Sequence, residues 1–173
     1  MTGGRVSLGQ LNALPPAAFV AALGGVYEHS PWVAERVLAA RPFASVDALH
    51  AAMAGAVDAA GEDAQLALLR AHPELAGRAM IRNELTAESS QEQAGAGLTR
   101  CSPEEYARLQ DLNARYNAKF GFPFIVAVSG LDRARILERF AARIGNDRAT
   151  EFGEALSQVA RIARLRLDAL LAE

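Results

Sequence analysis

Ala51-Ala52-Met53-Ala54-Gly55-Ala56-Val57-Asp58-Ala59-Ala60 decides the class of fold. Alanine is the strongest helix former, and the run follows Ser45-Val46-Asp47, where serine can cap a helix start. The same kind of signal recurs outward from it. Pro15-Pro16 precedes an apolar run and Ser30-Pro31 opens another segment. In Ser102-Pro103-Glu104-Glu105 the serine caps, the proline takes the first helical position and Glu105 closes a capping box. β-Branched runs with two-residue alternation are nearly absent. About seven or eight helices fit the length, so the expectation is an all-α, single-domain bundle over residues 11–173, behind a flexible N-terminus at residues 1–10.

A chain of 173 residues, 51% hydrophobic, can close one sizeable core. Its 18 Lys and Arg against 20 Asp and Glu leave a net charge of -2, without the broad positive field that nucleic-acid binding requires. A single cysteine, Cys101, allows neither an internal disulfide nor a multi-thiolate metal site, and is expected to be a buried structural thiol in a reducing compartment. Met1-Thr2-Gly3-Gly4-Arg5-Val6-Ser7 has no apolar core of an export signal, no uncharged run is long enough to span a membrane, and Leu171-Ala172-Glu173 is not a peroxisomal address. The expectation is a soluble, cytoplasmic protein with no membrane partner.

Two stretches resist the helical reading. Phe122 to Val128 is strand-like, but a lone strand has no partner for its backbone, so it is read as a proline-started buried helix or turn. Gly77 to Ser90 is read as the longest irregular segment, able to line a pocket.

Candidate chemistry begins at Leu66-Ala67-Leu68-Leu69-Arg70-Ala71-His72-Pro73-Glu74-Leu75-Ala76-Gly77. Proline removes a backbone donor and pushes the preceding residue out of the helical region, so His72 is expected at a helix terminus facing a cavity. Alone it can be a structural hydrogen-bonder or an acid/base. His29, before Ser30-Pro31-Trp32, competes for that role and could line a cavity with the only tryptophan, whereas His50 falls in an ordinary helical pattern.

Ser89-Ser90-Gln91-Glu92-Gln93-Ala94-Gly95-Ala96-Gly97-Leu98 is the second constellation. Ser-x-x-Glu before a helix is a capping box. It is also a helix start where Ser89, Glu92 and free amides could bind a polar or anionic ligand while Glu92 orients a histidine. Near the C-terminus, Phe152, Leu156, Val159, Ala163, Leu167 and Leu170 form an apolar stripe on a helical wheel, with Arg166 at its border and Arg161 and Arg164 pointing away. Arg166 must snorkel out or meet a partly buried anion, and a carboxylate ligand would suit it. There is no His-x-x-x-His, and His72-Pro73-Glu74 lacks the Pro-Cys-x-x-Cys of a zinc deaminase, so no metal is expected. Gly95-x-Gly97 is too short for a phosphate loop, so no nucleotide cofactor is expected either.

Together, Tyr27-Glu28-His29-Ser30-Pro31-Trp32-Val33, His72-Pro73-Glu74-Leu75-Ala76, Ser89 to Leu98 and Phe120-Gly121-Phe122-Pro123-Phe124-Ile125 resemble the 2-oxo-4-hydroxy-4-carboxy-5-ureidoimidazoline (OHCU) decarboxylase family of urate degradation, over about Leu11 to Leu167. The resemblance implies a cofactor-free, all-helical, commonly dimeric enzyme that decarboxylates OHCU, a small molecule, to (S)-allantoin. Carried over by position, His72 matches the catalytic acid/base with Glu92 beside it. Pro73, Ser89, Ser90, Gln91, Glu92, Gln93, Phe124, Ile125, Val126, Ala127 and Val128 match substrate-contacting positions. Arg166 is the candidate substrate arginine and Arg164 its fallback. The rival classes are a helical ligand-binding or regulatory module without catalysis and a helical interaction scaffold.

Overall fold

Most of the start signals become helix starts. A computed structural model describes residues 4–172, and the elements run β1 (Val6–Ser7), α1 (Leu8–Ala13), α2 (Pro16–Leu23), α3 (Trp32–Val37), α4 (Val46–Asp58), α5 (Glu62–Ala71), α6 (Arg78–Ile81), α7 (Ala87–Gly95), α8 (Pro103–Phe120), α9 (Arg133–Arg143), α10 (Arg148–Leu170) and β2 (Leu171–Ala172). The all-α class holds: seven of these helices are eight residues or longer. Ser45 caps α4 by accepting from the Ala48 amide at 3.0 Å. At α8 the capping box closes, with Glu105 N to Ser102 Oγ at 3.1 Å and Ser102 N to Glu105 Oε1 at 3.0 Å. Among the described residues no helix is long and apolar enough to cross a membrane.

The chain divides into two compact units, residues 1–71 with 160–173, and residues 72–159. In the first unit α3 packs on α4, and α1, α2 and α5 join them around Leu11, Phe19, Leu23, Val33, Leu49 and Met53, all buried. Residues 1–10, read as a flexible tail, are partly built into this unit. Val6 and Ser7 pair in parallel with Leu171 and Ala172, and Ser7 forms a capping box with Gln10 at the start of α1; Met1, Thr2 and Gly3 lie outside the described residues. A two-residue pair is too short to show as alternation in the sequence.

The second unit is organised by aromatic rings. Phe124 stacks on Phe140 with centroids 3.9 Å apart, and Tyr116 meets Phe122, Phe124 and Phe140 edge-on at 5.9, 5.5 and 5.7 Å. Such pairs add about 0.5–1.5 kcal/mol each beyond the burial of their area. Cys101 is only half-buried, its Sγ donating to Leu98 O at 3.3 Å, and burial followed by the charge of Glu105 pushes its thiol up.

Two buried phenols make opposite predictions. Tyr27 is buried with no hydrogen-bond partner for its hydroxyl, whereas Tyr116 donates to Glu151 Oε1 at 2.7 Å. Tyr27→Phe is therefore expected to stabilise the fold by about 1 kcal/mol, and Tyr116→Phe to destabilise it by about 1–2 kcal/mol, in urea unfolding. Burial raises both phenols well above the ordinary tyrosine range, helped by Asp58 at Tyr27 and by Glu151 at Tyr116. The unfolded chain then releases these protons above pH ~10 while the folded chain keeps them, so this stability is complete below pH ~10 and falls as pH rises above it. Each phenylalanine variant should flatten that alkaline loss; an unchanged alkaline slope in both would refute the assignment.

Candidate active site

The candidate residues His72, Pro73, Ser89 to Gln93 and Phe124 to Val128 all fall within residues 72–159, the first two on the loop that leaves α5. α5 ends at Ala71 and His72 turns out of the helix at a bend, as the following proline requires. His72 is 8% exposed. From Glu74 to Ala76 no helix or strand serves the backbone, yet each successive carbonyl is taken by a side-chain amide. Gln93 Nε2 donates to Glu74 O at 3.2 Å, Asn113 Nδ2 to Leu75 O at 3.0 Å and Gln110 Nε2 to Ala76 O at 2.8 Å. Gln93 Oε1 also accepts from Ala76 N at 3.0 Å, and Asn117 Nδ2 reaches the Glu74 carboxylate at 2.6 Å. A buried backbone must find partners, and here amide side chains of α7 and α8 supply them.

That cradle holds an unusual backbone. Ala76 sits at φ 50°, in the left-handed region, which costs a residue with a Cβ about 1–2 kcal/mol. Gly77 is needed for space rather than for its own φ of -86°: a Cβ there would stand 2.8 Å from Glu74 Cβ.

The second constellation starts earlier than the sequence suggests. Thr86, not Ser89, caps α7, its side chain accepting from the Ser89 amide at 3.2 Å, and Ser90 N donates to Thr86 O at 2.9 Å. The amides of Ser89 and Ser90 are thus engaged, and the capping-box reading of Ser89 and Glu92 is corrected: both lie within the helix. Thr86-x-x-Ser89 lacks the acidic third position that gives Ser89-x-x-Glu92 the pattern of a capping box. The expected irregular stretch from Gly77 to Ser90 also shrinks, because α6 and the first turn of α7 occupy most of it. Along α7, Ser89 and Gln93 are buried and Glu92 is half-buried, one helical turn sharing a face, while Ser90 and Gln91 are exposed. Through Gln93 this face is tied directly to the loop after His72. Gln93 therefore spends both ends of its amide on the loop backbone.

Phe122 to Val128 is neither helix nor strand but a fully buried irregular segment, which corrects the helical alternative. Its backbone is served by side chains: Ala127 N donates to Gln158 Oε1 at 2.9 Å, and Arg143 Nη1 donates to Ile125 O at 2.6 Å. Arg143 is itself held by Glu151, which is wholly buried and also receives Tyr116 and Asn146. Phe124 belongs to the aromatic core by its side chain. Helix α8 thus supports both parts of the site, presenting Gln110, Asn113 and Asn117 to the loop, and Tyr116 and Phe120 to the aromatic cluster.

The remaining candidates lie in the unit of residues 1–71 and 160–173. Arg166 does meet a buried anion, but one within the chain: Nη1 lies 2.8 Å from Glu28 Oε2 and 3.0 Å from Gly25 O, with Arg166 7% exposed. The wheel placed it at the border of the stripe because it counted only apolar residues. The buried face of α10 is rotated to include Glu151, Gln158 and Arg166, each given a polar partner, and leaves Phe152, Leu156 and Leu170 half-buried. Arg164 pairs with Asp47 and with Asp168 at the surface. His29 is 63% exposed, so it lines no buried cavity with Trp32, and His50 bonds Ala160 O at 2.8 Å. Among the described residues no group of three or more His, Cys, Asp or Glu is placed to hold a metal ion.

Sequence reasoning missed Gln110, Asn113 and Asn117. The signal was present as three amides three and four residues apart on a helix whose apolar stripe, Leu109, Leu112, Tyr116 and Phe120, runs alongside them.

The sequence profile of the OHCU decarboxylase family matches residues 12–168, a span that holds every motif assembled above. The chain belongs to the OHCU decarboxylase family. A 2-oxo-4-hydroxy-4-carboxy-5-ureidoimidazoline decarboxylase of Halalkalicoccus jeotgali is 46% identical, covering 96% of this chain and 92% of that protein. The uric acid degradation bifunctional protein PucL of Bacillus subtilis is 39% identical over 96% of this chain, which spans 33% of it. A crystal structure of (S)-allantoin synthase superposes with a TM-score of 0.79 at 30% identity, covering 96% of this chain, which spans 54% of that one.

Proposed function

We propose that this member of the OHCU decarboxylase family converts OHCU to (S)-allantoin and CO2 in urate degradation, with His72 as the proton-transfer group and Glu92 acting beside it. The supporting observation is the tie between the two motifs. Gln93, the residue after Glu92, bonds the backbone on both sides of Leu75, so the inner face of α7 is fastened to the loop that carries His72 and Pro73.

The chemistry asks little of the protein. The bond from ring carbon to carboxylate breaks, its electron pair moves toward the adjacent C=N, and that nitrogen takes a proton as CO2 leaves. The resulting enol then loses its hydroxyl proton while the neighbouring carbon gains one. The substrate is its own electron sink, so the reading calls for no cofactor. What remains is to hold the carboxylate out of the ring plane, stabilise the delocalised anion and deliver the last proton to one face. Ser89 and the backbone of Phe124 to Val128 are the proposed substrate contacts, with Pro73 shaping the pocket. No step is assigned to Arg166. The same reading makes the protein a cytoplasmic homodimer.

The test generates OHCU in place from urate with urate oxidase and hydroxyisourate hydrolase, adds the protein, and follows circular dichroism. Rapid growth of an (S)-allantoin signal is expected. A slow, optically silent decay would leave a binding module in place of an enzyme.

A further inference from the structure

We propose that Asn113 and Gln110 of α8 are positioning residues for His72, a role that rests on the reading of His72 as the proton-transfer group. The loop from Pro73 to Gly77 has no repetitive structure to hold it, and it includes a left-handed alanine that would relax if released. Three consecutive carbonyls are pinned by three amides, two of them from α8. Pro73, with its fixed φ, is the single residue between His72 and the first pinned carbonyl, so displacement of the cradle passes directly to the imidazole.

Asn113 has a further peculiarity. It is 2% exposed beside the apolar stripe of α8, with Nδ2 on Leu75 O and Oδ1 without a hydrogen-bond partner. A buried acceptor left unmatched opposes folding. Asn113 therefore serves through its donor alone, and what that donor sets is the direction of the Leu75 peptide.

The experiment compares Asn113→Leu, Gln110→Met and, as a control, Ile136→Val, a truncation in the core of α9 that removes no amide. Steady-state kinetics by circular dichroism and thermal unfolding are measured for each. Asn113→Leu is expected to lower kcat about tenfold or more with KM essentially unchanged, because proton transfer is sensitive to sub-ångström placement while substrate binding uses other groups. Gln110→Met should lower kcat in the same way by a smaller factor, and Ile136→Val should leave kcat alone.

Unchanged kcat in both amide variants, or a loss in Ile136→Val proportionate to its melting temperature, would overturn the proposal. If Asn113→Leu does not fold, Gln110→Met decides alone, since Gln110 is only part-buried. His72→Asn run in parallel separates the two levels. If it retains turnover, the catalytic reading falls and this proposal with it; if it is inactive while both amide variants are fully active, only the positioning role is lost.

Discussion

His72→Asn is expected to lower turnover of OHCU by about a hundredfold or more, the usual loss when a single proton-transfer group is removed. Asparagine places a hydrogen-bonding group near the position of the imidazole Nδ1, so the buried position after α5 stays polar while proton exchange ends. Pro73 and the amide cradle are untouched, and the melting temperature should move little. Glu92→Gln preserves shape on the half-buried face of α7 and removes only the charge, so it too should slow the reaction with the fold intact. Product handedness gives a second readout. Because the free intermediate decays to racemic allantoin, the excess of the (S) form should collapse in step with the rate. If folded His72→Asn and Glu92→Gln both turned over like the wild type with full (S) product, the proton-transfer assignment would be abandoned.

Glu151→Ala is expected to destabilise the fold by about 3–5 kcal/mol. Glu151 is wholly buried, its Oε1 lies 2.6 Å from Arg143 Nε and 2.5 Å from Nη2, and its carboxylate also accepts from Tyr116 at 2.7 Å and Asn146 at 3.1 Å. Removing it leaves a guanidinium in the interior with no counter-charge, stacked 4.4 Å over the Phe124 ring. It also releases the group that fixes Ile125 O. Calorimetry should show a fall of roughly 10 °C in melting temperature. Glu151→Gln, which keeps an acceptor oxygen, should lose less, though it still strands the charge. A fall in stability below about 1 kcal/mol in Glu151→Ala would mean that Arg143 finds water or another anion, as exposed ion pairs do.

The two predictions separate what each part of the site depends on. His72 and Glu92 are read as chemical groups on a support that survives their replacement. Glu151 is part of the support itself, and its loss would disturb Phe124 to Val128 without touching the histidine.

Local physics wrote most of the fold into the sequence. Alanine-rich runs, Ser45 and Ser102 as caps and Pro16 and Pro103 at helix starts act within a few residues of themselves, so the all-α class and most helix starts were legible, as was the helix stop before His72-Pro73. The order and spacing of the motifs also carried the family. Tertiary structure alone decided the rest. Thr86 displaced Ser89 as the cap of α7, because a cap is settled by where the chain enters a helix rather than by the best-looking box. Arg166 found Glu28, 138 residues away in sequence, and no wheel can register a partner at that distance. The irregular course of Phe122 to Val128 and of Glu74 to Ala76 depends on amides and a guanidinium from α7, α8, α9 and α10. A buried backbone without repetitive structure takes its conformation from whichever side chains reach it, and that is determined only when the helices pack.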